Sequence, residues 1–227
     1  MYCVIGDIHG NFNKLEALLE LVYKDDKATA FYHLGDIIDR GDDSKKVVDL
    51  CIQYDITGLI GNHELWILNL IDWKIFDDFC LTNIMGGRAT LRSYGVSPSD
   101  IETAEKGHWI PKKHADYFRT LKSHIWLDDM LLTHAGISET GWKYRKENED
   151  PYVFIEEKGI HSEEIYWGGG KPAQLPFIQF RGHAPQLEAN RQGNVISLDT
   201  GCSTCNPYKL SACLWEPGSR DFRFISV

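Results

Sequence analysis

The sequence predicts an α/β fold, and three observations carry that expectation. An apolar run stops abruptly at a glycine-flanked polar cluster three times before residue 65; each cluster is followed by a helix-forming pattern; and later apolar runs end the same way. The sharpest case is Phe31-Tyr32-His33-Leu34, which runs into Gly35-Asp36-Ile37-Ile38-Asp39-Arg40-Gly41. Carboxylates so placed stand at the carboxyl end of a buried strand, where open α/β sheets receive their ligands. At 227 residues the chain suffices for one sizeable α/β domain and is cramped for two, so a single domain spanning 1–227 is expected.

Residues 3–5 form a short apolar strand ending in Gly6-Asp7-Ile8-His9-Gly10, and Asn11 can cap a helix that carries Leu15, Leu18, Leu19 and Val22 on one face. Asp7 and His9, two apart on an extended loop, project to the same side and can reach one cation. The second unit is the strand 31–34, its loop, and a helix from about Ser44 to Tyr54 with Val47, Val48, Leu50 and Cys51 inward. The third is the run Ile56–Ile60, then Gly61-Asn62-His63-Glu64, then a helix beginning near Leu65.

From about 65 to 128 the pattern is helical, with Trp66, Leu70, Trp73, Phe76, Phe79, Tyr117, Phe118 and Leu121 as core of a helical layer around the sheet. His108, His114 and His124 fall in this layer and read as surface or hydrogen-bonded histidines rather than ligands. Strands return at Met130–Thr133, ending in His134-Ala135-Gly136. The polar stretch that follows lacks periodicity and reads as an excursion over the active face, about 143–176, jointed at Gly168-Gly169-Gly170. Phe177–Phe180 then ends in Arg181-Gly182-His183, Asn194–Leu198 ends in Asp199-Thr200-Gly201, and Leu210–Leu214 and Arg223–Val227 read as closing strands.

A net charge of −9, with no Lys/Arg block, speaks against a nucleic-acid partner. No apolar run is long enough to cross a bilayer, and Met1–Asp7 lacks a charged lead and cleavage site, so no membrane partner and a cytoplasmic location are expected. Cys202-Ser203-Thr204-Cys205, a C-x-x-C without a second pair, reads as buried or redox-silent thiols.

Pooling the strand ends gives Asp7, His9, Asp36, Asn62, His134 and His183, an N/O donor set without thiolate. Such a set suits divalent manganese, iron, zinc or cobalt. Six ligands exceed what one ion with open positions needs, and suit two ions sharing one carboxylate, with Asp36 as the candidate bridge. Two dications carry four positive charges; two aspartates and a bridging hydroxide remove three, leaving the centre about one unit positive and attractive to a phosphate ester. Such a centre activates water and clamps phosphoryl oxygens. His63, beside Asn62, can protonate the leaving group if Asp39 holds its tautomer. Arg40 and Arg181 can hold the non-reacting oxygens by forked bonds.

Taken together, Gly-Asp-Ile-His-Gly (6–10), Gly-Asp-Ile-Ile-Asp-Arg-Gly (35–41), Gly-Asn-His-Glu (61–64), His-Ala-Gly (134–136) and Arg-Gly-His (181–183) resemble the phosphoprotein-phosphatase branch of the calcineurin-like metallophosphoesterases. In size the chain is similar to small bacterial and phage serine/threonine phosphatases and to diadenosine tetraphosphate hydrolases. The resemblance implies a β-sandwich of two mixed sheets flanked by helices. It implies Asp7, His9 and Asp36 on a first metal, Asp36, Asn62, His134 and His183 on a second, a His63–Asp39 acid pair, and Arg40 at the phosphate. Asp39 inclines the reading toward a protein phosphatase acting on phosphorylated protein. The alternative is hydrolysis of a dinucleoside polyphosphate or another small phosphoester, and the weakest reading is a non-catalytic phosphate-binding protein. One departure stands out: relatives place an arginine two residues after a tryptophan, whereas Trp167 is followed by Gly168-Gly169-Gly170-Lys171, leaving Lys171 as the candidate substitute.

Overall fold

The first strand already divides the molecule into layers. In β1 (Tyr2–Ile5), Val4 enters one apolar cluster while Cys3 and Ile5 enter another, because successive strand residues face opposite sides of a sheet. The computed structural model describes residues 1–26, 28–97, 99–158, 163–168, 170–203 and 208–227.

β1 is the middle of a five-stranded sheet. It pairs in parallel with β2 (Ala30–His33), which pairs in parallel with β3 (Thr57–Gly58). On its other side lies antiparallel β9 (Ser211–Trp215), followed by β10 (Arg223–Ser226). The second five-stranded sheet has the order β4 (His124–Leu127), β5 (Met130–Thr133), β6 (Ile178–Arg181), β8 (Val195–Ser197) and β7 (Asn190–Gln192). Its two edge strands run antiparallel and its centre is parallel. The expected pair of mixed sheets is therefore the architecture found.

The inner faces meet through Val4, Cys213 and Trp215 of the first sheet and Leu132, Phe180 and Ile196 of the second. Phe180 stacks on Trp215 with centroids 5.1 Å apart; burying each such ring fully is worth on the order of 2–3 kcal/mol. The outer face of the first sheet, through Cys3, Ile5, Ala212 and Leu214, packs on helices α1 (Phe12–Leu21), α2 (Ser44–Gln53), α3 (Glu64–Trp73) and α6 (Lys112–Thr120). Asn11 caps α1, its side chain accepting from the Lys14 amide at 3.3 Å. Between α3 and α6 lie α4 (Gly87–Ser93) and α5 (Ile101–Lys106).

The stretch after β5 is more ordered than its sequence suggests. It holds α7 (Glu139–Trp142), α8 (Pro151–Glu157) and α9 (Glu164–Trp167), and Phe154, Ile155 and Ile165 pack on Leu131 and Phe177 to cover the outer face of the second sheet. Two strands, β4 and β7, stand where none was expected, and His124 opens β4 rather than lying in a helix. Trp73 and Phe79 are exposed, not core. Gly169, Thr204 and Cys205 lie outside the described residues, while Cys202 is buried. Among the described residues no helix is long and apolar enough to cross a membrane.

Candidate metal centre

The carboxyl ends of β1, β2, β3, β5 and β6 deliver the loops beginning at Gly6, Gly35, Gly61, His134 and Gly182 to one place, where the two sheets meet. The backbone there is unusual. Among the described non-glycine residues with positive φ are His9 (48°), Asp36 (51°), Asp39 (68°), Arg40 (67°) and His183 (63°). Left-handed backbone at a residue with a Cβ is strained, and such strain persists where the surroundings over-determine it, as they do at functional sites. The turn at His9 also replaces the extended loop expected there. Its ring is turned toward Asp36 and His63, while Asp7 faces His183.

Asp36 is the hub. Its Oδ2 lies 3.6 Å from His9 Nε2, 3.9 Å from His63 Nε2 and 3.4 Å from His134 Nε2. Two groups of donor atoms, His9–Asp36–His63 and Asp36–His134–His183, each lie within 4.8 Å of one another and share Asp36. Asn62 Oδ1 adds to the second, 3.1 Å from His134 Nε2 and 3.0 Å from His183 Nδ1. Asp7 lies beside the cluster, its Oδ2 accepting from the His183 backbone amide at 3.0 Å. Five of the six expected donors, His9, Asp36, Asn62, His134 and His183, thus lie together with Asp36 in both groups, and Asp7 borders them through the His183 amide.

Glu64 fixes the hub from behind: its carboxylate accepts from the amides of Asp36 (2.8 Å), Ile37 (2.9 Å) and Gly61 (2.8 Å). Gly61 has to be glycine, since a Cβ there would overlap Asp36 Oδ1.

The donor set fits a cation. Asp7 Oδ1 is buried without a hydrogen-bond partner, packed so closely on Gly182 that a Cβ there would overlap it. An unpaired buried carboxylate oxygen is costly unless a cation or proton meets it. The electrostatics agree. Burial, then Asp199, pushes the Asp7 carboxyl well above its usual value; burial, then Asp36, pushes Glu64 up to about 7; burial raises Asp199 to about 6. His134 is opposed by burial yet pushed up to about 10 by Asp36. Groups that hold protons this tenaciously sit in excess negative potential, which divalent cations discharge. His9, by contrast, is held well below its usual value by burial and then by His63, so its ring is neutral and its Nε2 lone pair, which here accepts from Arg40, is of the kind that ligates a cation.

His63 is built differently from the ligands. Its Nδ1 bonds Asp39 Oδ2 at 2.9 Å, while its Nε2 is buried without a partner and turned toward Asp36. Asp39 is itself held: Trp66 Nε1 donates to Oδ2 at 3.1 Å and Thr90 Oγ1 to Oδ1 at 2.6 Å. In the sequence Trp66 reads as plain core, and Thr90 belongs to the softer Gly86-Gly87…Thr90-Leu91 stretch of the family resemblance without a role of its own.

The cations are distributed unevenly. Arg40 Nη1 donates to His9 Nε2 at 2.6 Å, at the edge of the centre. Arg181, ending β6, is buried and lines a separate cavity of about 140 Å³ with Lys171, Gln186 and Ser197, where burial lowers its pKa while Asp7 and Asp199 oppose the shift. Lys171 pairs with Glu139 at 2.8 Å and is largely exposed.

Comparison with known proteins gives a consistent picture. The family model described as calcineurin-like phosphoesterase matches residues 2–193. A symmetrical bis(5'-nucleosyl)-tetraphosphatase of Legionella pneumophila (strain Corby) is 30% identical over 142 residues, 59% of this chain and 44% of that protein. An asymmetrical bis(5'-nucleosyl)-tetraphosphatase of Oceanobacillus iheyensis is 26% identical, covering 88% of this chain and 83% of that protein. The chain thus spans less than half the length of the first of these relatives. Among solved structures, a candidate diadenosine tetraphosphatase superposes with a TM-score of 0.65 at 21% identity, covering 100% of this chain and 92% of that one. A serine/threonine phosphatase from Saccharomyces cerevisiae gives 0.57 at 16% identity, covering 99% and 78%; these two likenesses speak to the fold.

Proposed function

We propose that this chain, which belongs to the calcineurin-like phosphoesterase family, is a metal-dependent phosphoester hydrolase whose substrate is a dinucleoside polyphosphate. The observation that carries the hydrolase reading is His63, with one ring nitrogen bonded to Asp39 and the other unpartnered and turned toward Asp36.

Asp7, His9 and Asp36 would hold one divalent cation, and Asp36, Asn62, His134 and His183 a second, with manganese first among metals suited to such donors and iron, zinc or cobalt as alternatives. When bound, such a pair lowers the pKa of water and neutralises charge on a phosphoryl group. The protein's own part is positioning and proton transfer. Asp39 accepts from His63 Nδ1–H and so turns Nε2, which carries a proton only in the imidazolium, toward the centre. Burial lowers the His63 pKa, but Asp36 and Asp39 together outweigh it and raise it, which favours the imidazolium that can protonate a leaving oxygen. Arg40, at the edge of the donor cluster, is placed to hold a non-reacting phosphate oxygen by a charge-assisted bond.

The names of the relatives support the dinucleoside polyphosphate substrate. The Asp39–His63 pair keeps the phosphoserine/phosphothreonine reading as the second. The purified chain with manganese is to be given diadenosine tetraphosphate, a phosphothreonine peptide and an aryl phosphate. The expected result is hydrolysis of the aryl phosphate and a kcat/KM at least about tenfold higher for the dinucleotide than for the peptide. The reverse order would overturn the substrate, and inactivity on all three would overturn the hydrolase.

A further inference from the structure

We propose that an open cavity of about 530 Å³ beside the metal centre, walled by Arg40, Arg88 and Arg92, is a second phosphate-binding subsite that takes the distal phosphates of an oligophosphate chain. The inference rests on the hydrolase reading above and deepens it.

Four features of the cavity point to this ligand. Its residues bring three guanidiniums together in a chain whose net charge is −9, and among the described lining residues none is acidic. Forked guanidinium donors match phosphate oxygens, and the Asp42 carboxylate that meets Arg92 at 3.7 Å is exposed and weakly competing. Arg40 belongs both to this wall and to the centre, its Nη1 on His9 Nε2, so a chain anchored at the reacting phosphate continues directly into the cavity. The volume exceeds what one phosphate needs and lies within the roughly 300–1,000 Å³ of ordinary ligand pockets.

The described lining favours phosphates over a base. No aromatic side chain is among its described lining residues, and a base is normally held by stacking on one. Asn83 and Ser203 add polar groups instead.

The three arginines differ in their readiness. Arg88 is oriented by its Nε, which donates to the Leu81 carbonyl at 2.8 Å. Arg40 leans on the Ile84 carbonyl through two 3.4 Å contacts. Arg92 is half-exposed and has a 3.7 Å ion pair with Asp42, which is itself 86% exposed. Such a pair is worth little and yields readily to a better anion. Arg92 is therefore the arm that closes on the chain.

The test uses the manganese-loaded protein, with manganese in excess over every anion, and inorganic tripolyphosphate and orthophosphate as probes, each measured as a competitive inhibitor of aryl phosphate hydrolysis. In the wild type the tripolyphosphate inhibition constant is expected to be at least about tenfold below that of orthophosphate, and Arg92→Glu to shrink that ratio about tenfold, one charge-assisted contact being of that size. Arg92→Lys is expected to fall between, keeping the charge but not the fork. A ratio that is the same in wild type and Arg92→Glu overturns the subsite while leaving the hydrolase intact. Absence of aryl phosphate hydrolysis in the wild type overturns the hydrolase instead, and calorimetric titration of the two probes then still reads the subsite. Arg92 lies on the surface, and thermal melting of both variants reports that they fold.

Discussion

Thr90 Oγ1 donates to Asp39 Oδ1 across 2.6 Å although 51 residues separate them. The same hydroxyl accepts from the Asp39 amide at 2.9 Å, so Thr90 holds the residue at both its main chain and its carboxylate. Thr90→Val keeps the shape and removes both bonds, leaving a buried carboxylate oxygen short of a partner, which costs about 1.5–3 kcal/mol. Since Thr90 acts through Asp39 on His63, kcat is expected to fall about tenfold with KM little changed, and the pH–rate profile to shift. Thr90→Ser is expected to restore both. A profile unmoved in Thr90→Val, with only the melting temperature lowered, would reduce Thr90 to a structural role.

His63 itself is expected to matter according to the leaving group. A general acid contributes about 10² to 10⁴ in rate when the leaving oxygen is basic, and less when it departs readily as an anion. His63→Gln should therefore depress turnover of an alkyl phosphate far more than that of a nitrophenyl phosphate. Steady-state rates on the two esters measure this directly. Equal losses on both would assign His63 to metal or phosphate binding instead of proton transfer.

Asp7 offers a readout that needs no turnover. Burial and Asp199 raise its pKa well above the usual carboxylate range, so at neutral pH its ionised form opposes folding until a cation arrives; a raised acid loses stability as pH climbs above its unfolded value. Asp7→Asn is expected to raise the melting temperature of the chelated protein. A ligand at 100 times its dissociation constant adds about 2.7 kcal/mol, about 5–10 °C for a chain of this size. Manganese should give the wild type a shift of that order and Asp7→Asn a much smaller one. Equal manganese shifts in the two proteins would remove Asp7 from the ligand set.

What the sequence made visible follows from the range of the interactions involved. The site loops were legible because each announces itself locally, an apolar run cut off at glycine and a donor. The roles of Trp66 and Thr90 were not, because the partner that gives them a function, Asp39, lies 27 and 51 residues away, and within its own segment Trp66 is indistinguishable from an apolar helix residue. β4 was hidden by its turn: Asp128 alone carries the positive φ of the Asp128-Asp129 connection, with no glycine to mark a hairpin. β7 has a marker, the Gly193-Asn194 turn, but Asn190-Arg191-Gln192 is polar throughout and has no alternation to read. Arg88 and Arg92 likewise look like ordinary helix-surface cations until the fold sets them beside Arg40.

The cluster that ties α6 to α2 predicts an acid-sensitive stability away from the centre. His114 is fully buried, its Nδ1 bonded to Tyr94 Oη at 2.8 Å and its Nε2 to Asp49 Oδ1 at 3.0 Å. Burial holds its pKa below the usual value, although Asp49 opposes this and Lys113 and Lys45 reinforce it. Asp49, which burial alone would raise, is held well below the usual carboxylate range by Lys113, His114 and Lys45. Both shifts act in the same direction. As pH falls through about 6.5 the unfolded chain takes up a proton at His114 that the folded one refuses, and below about 4 the stability from ionised Asp49 is lost as well. His114→Gln should flatten the fall in melting temperature between pH 7.5 and 5.5 while leaving the steeper loss below pH 4 in place. Thermal melts across that range check it, and a variant whose slope matches or exceeds that of the wild type would show that His114 is charged in the folded protein.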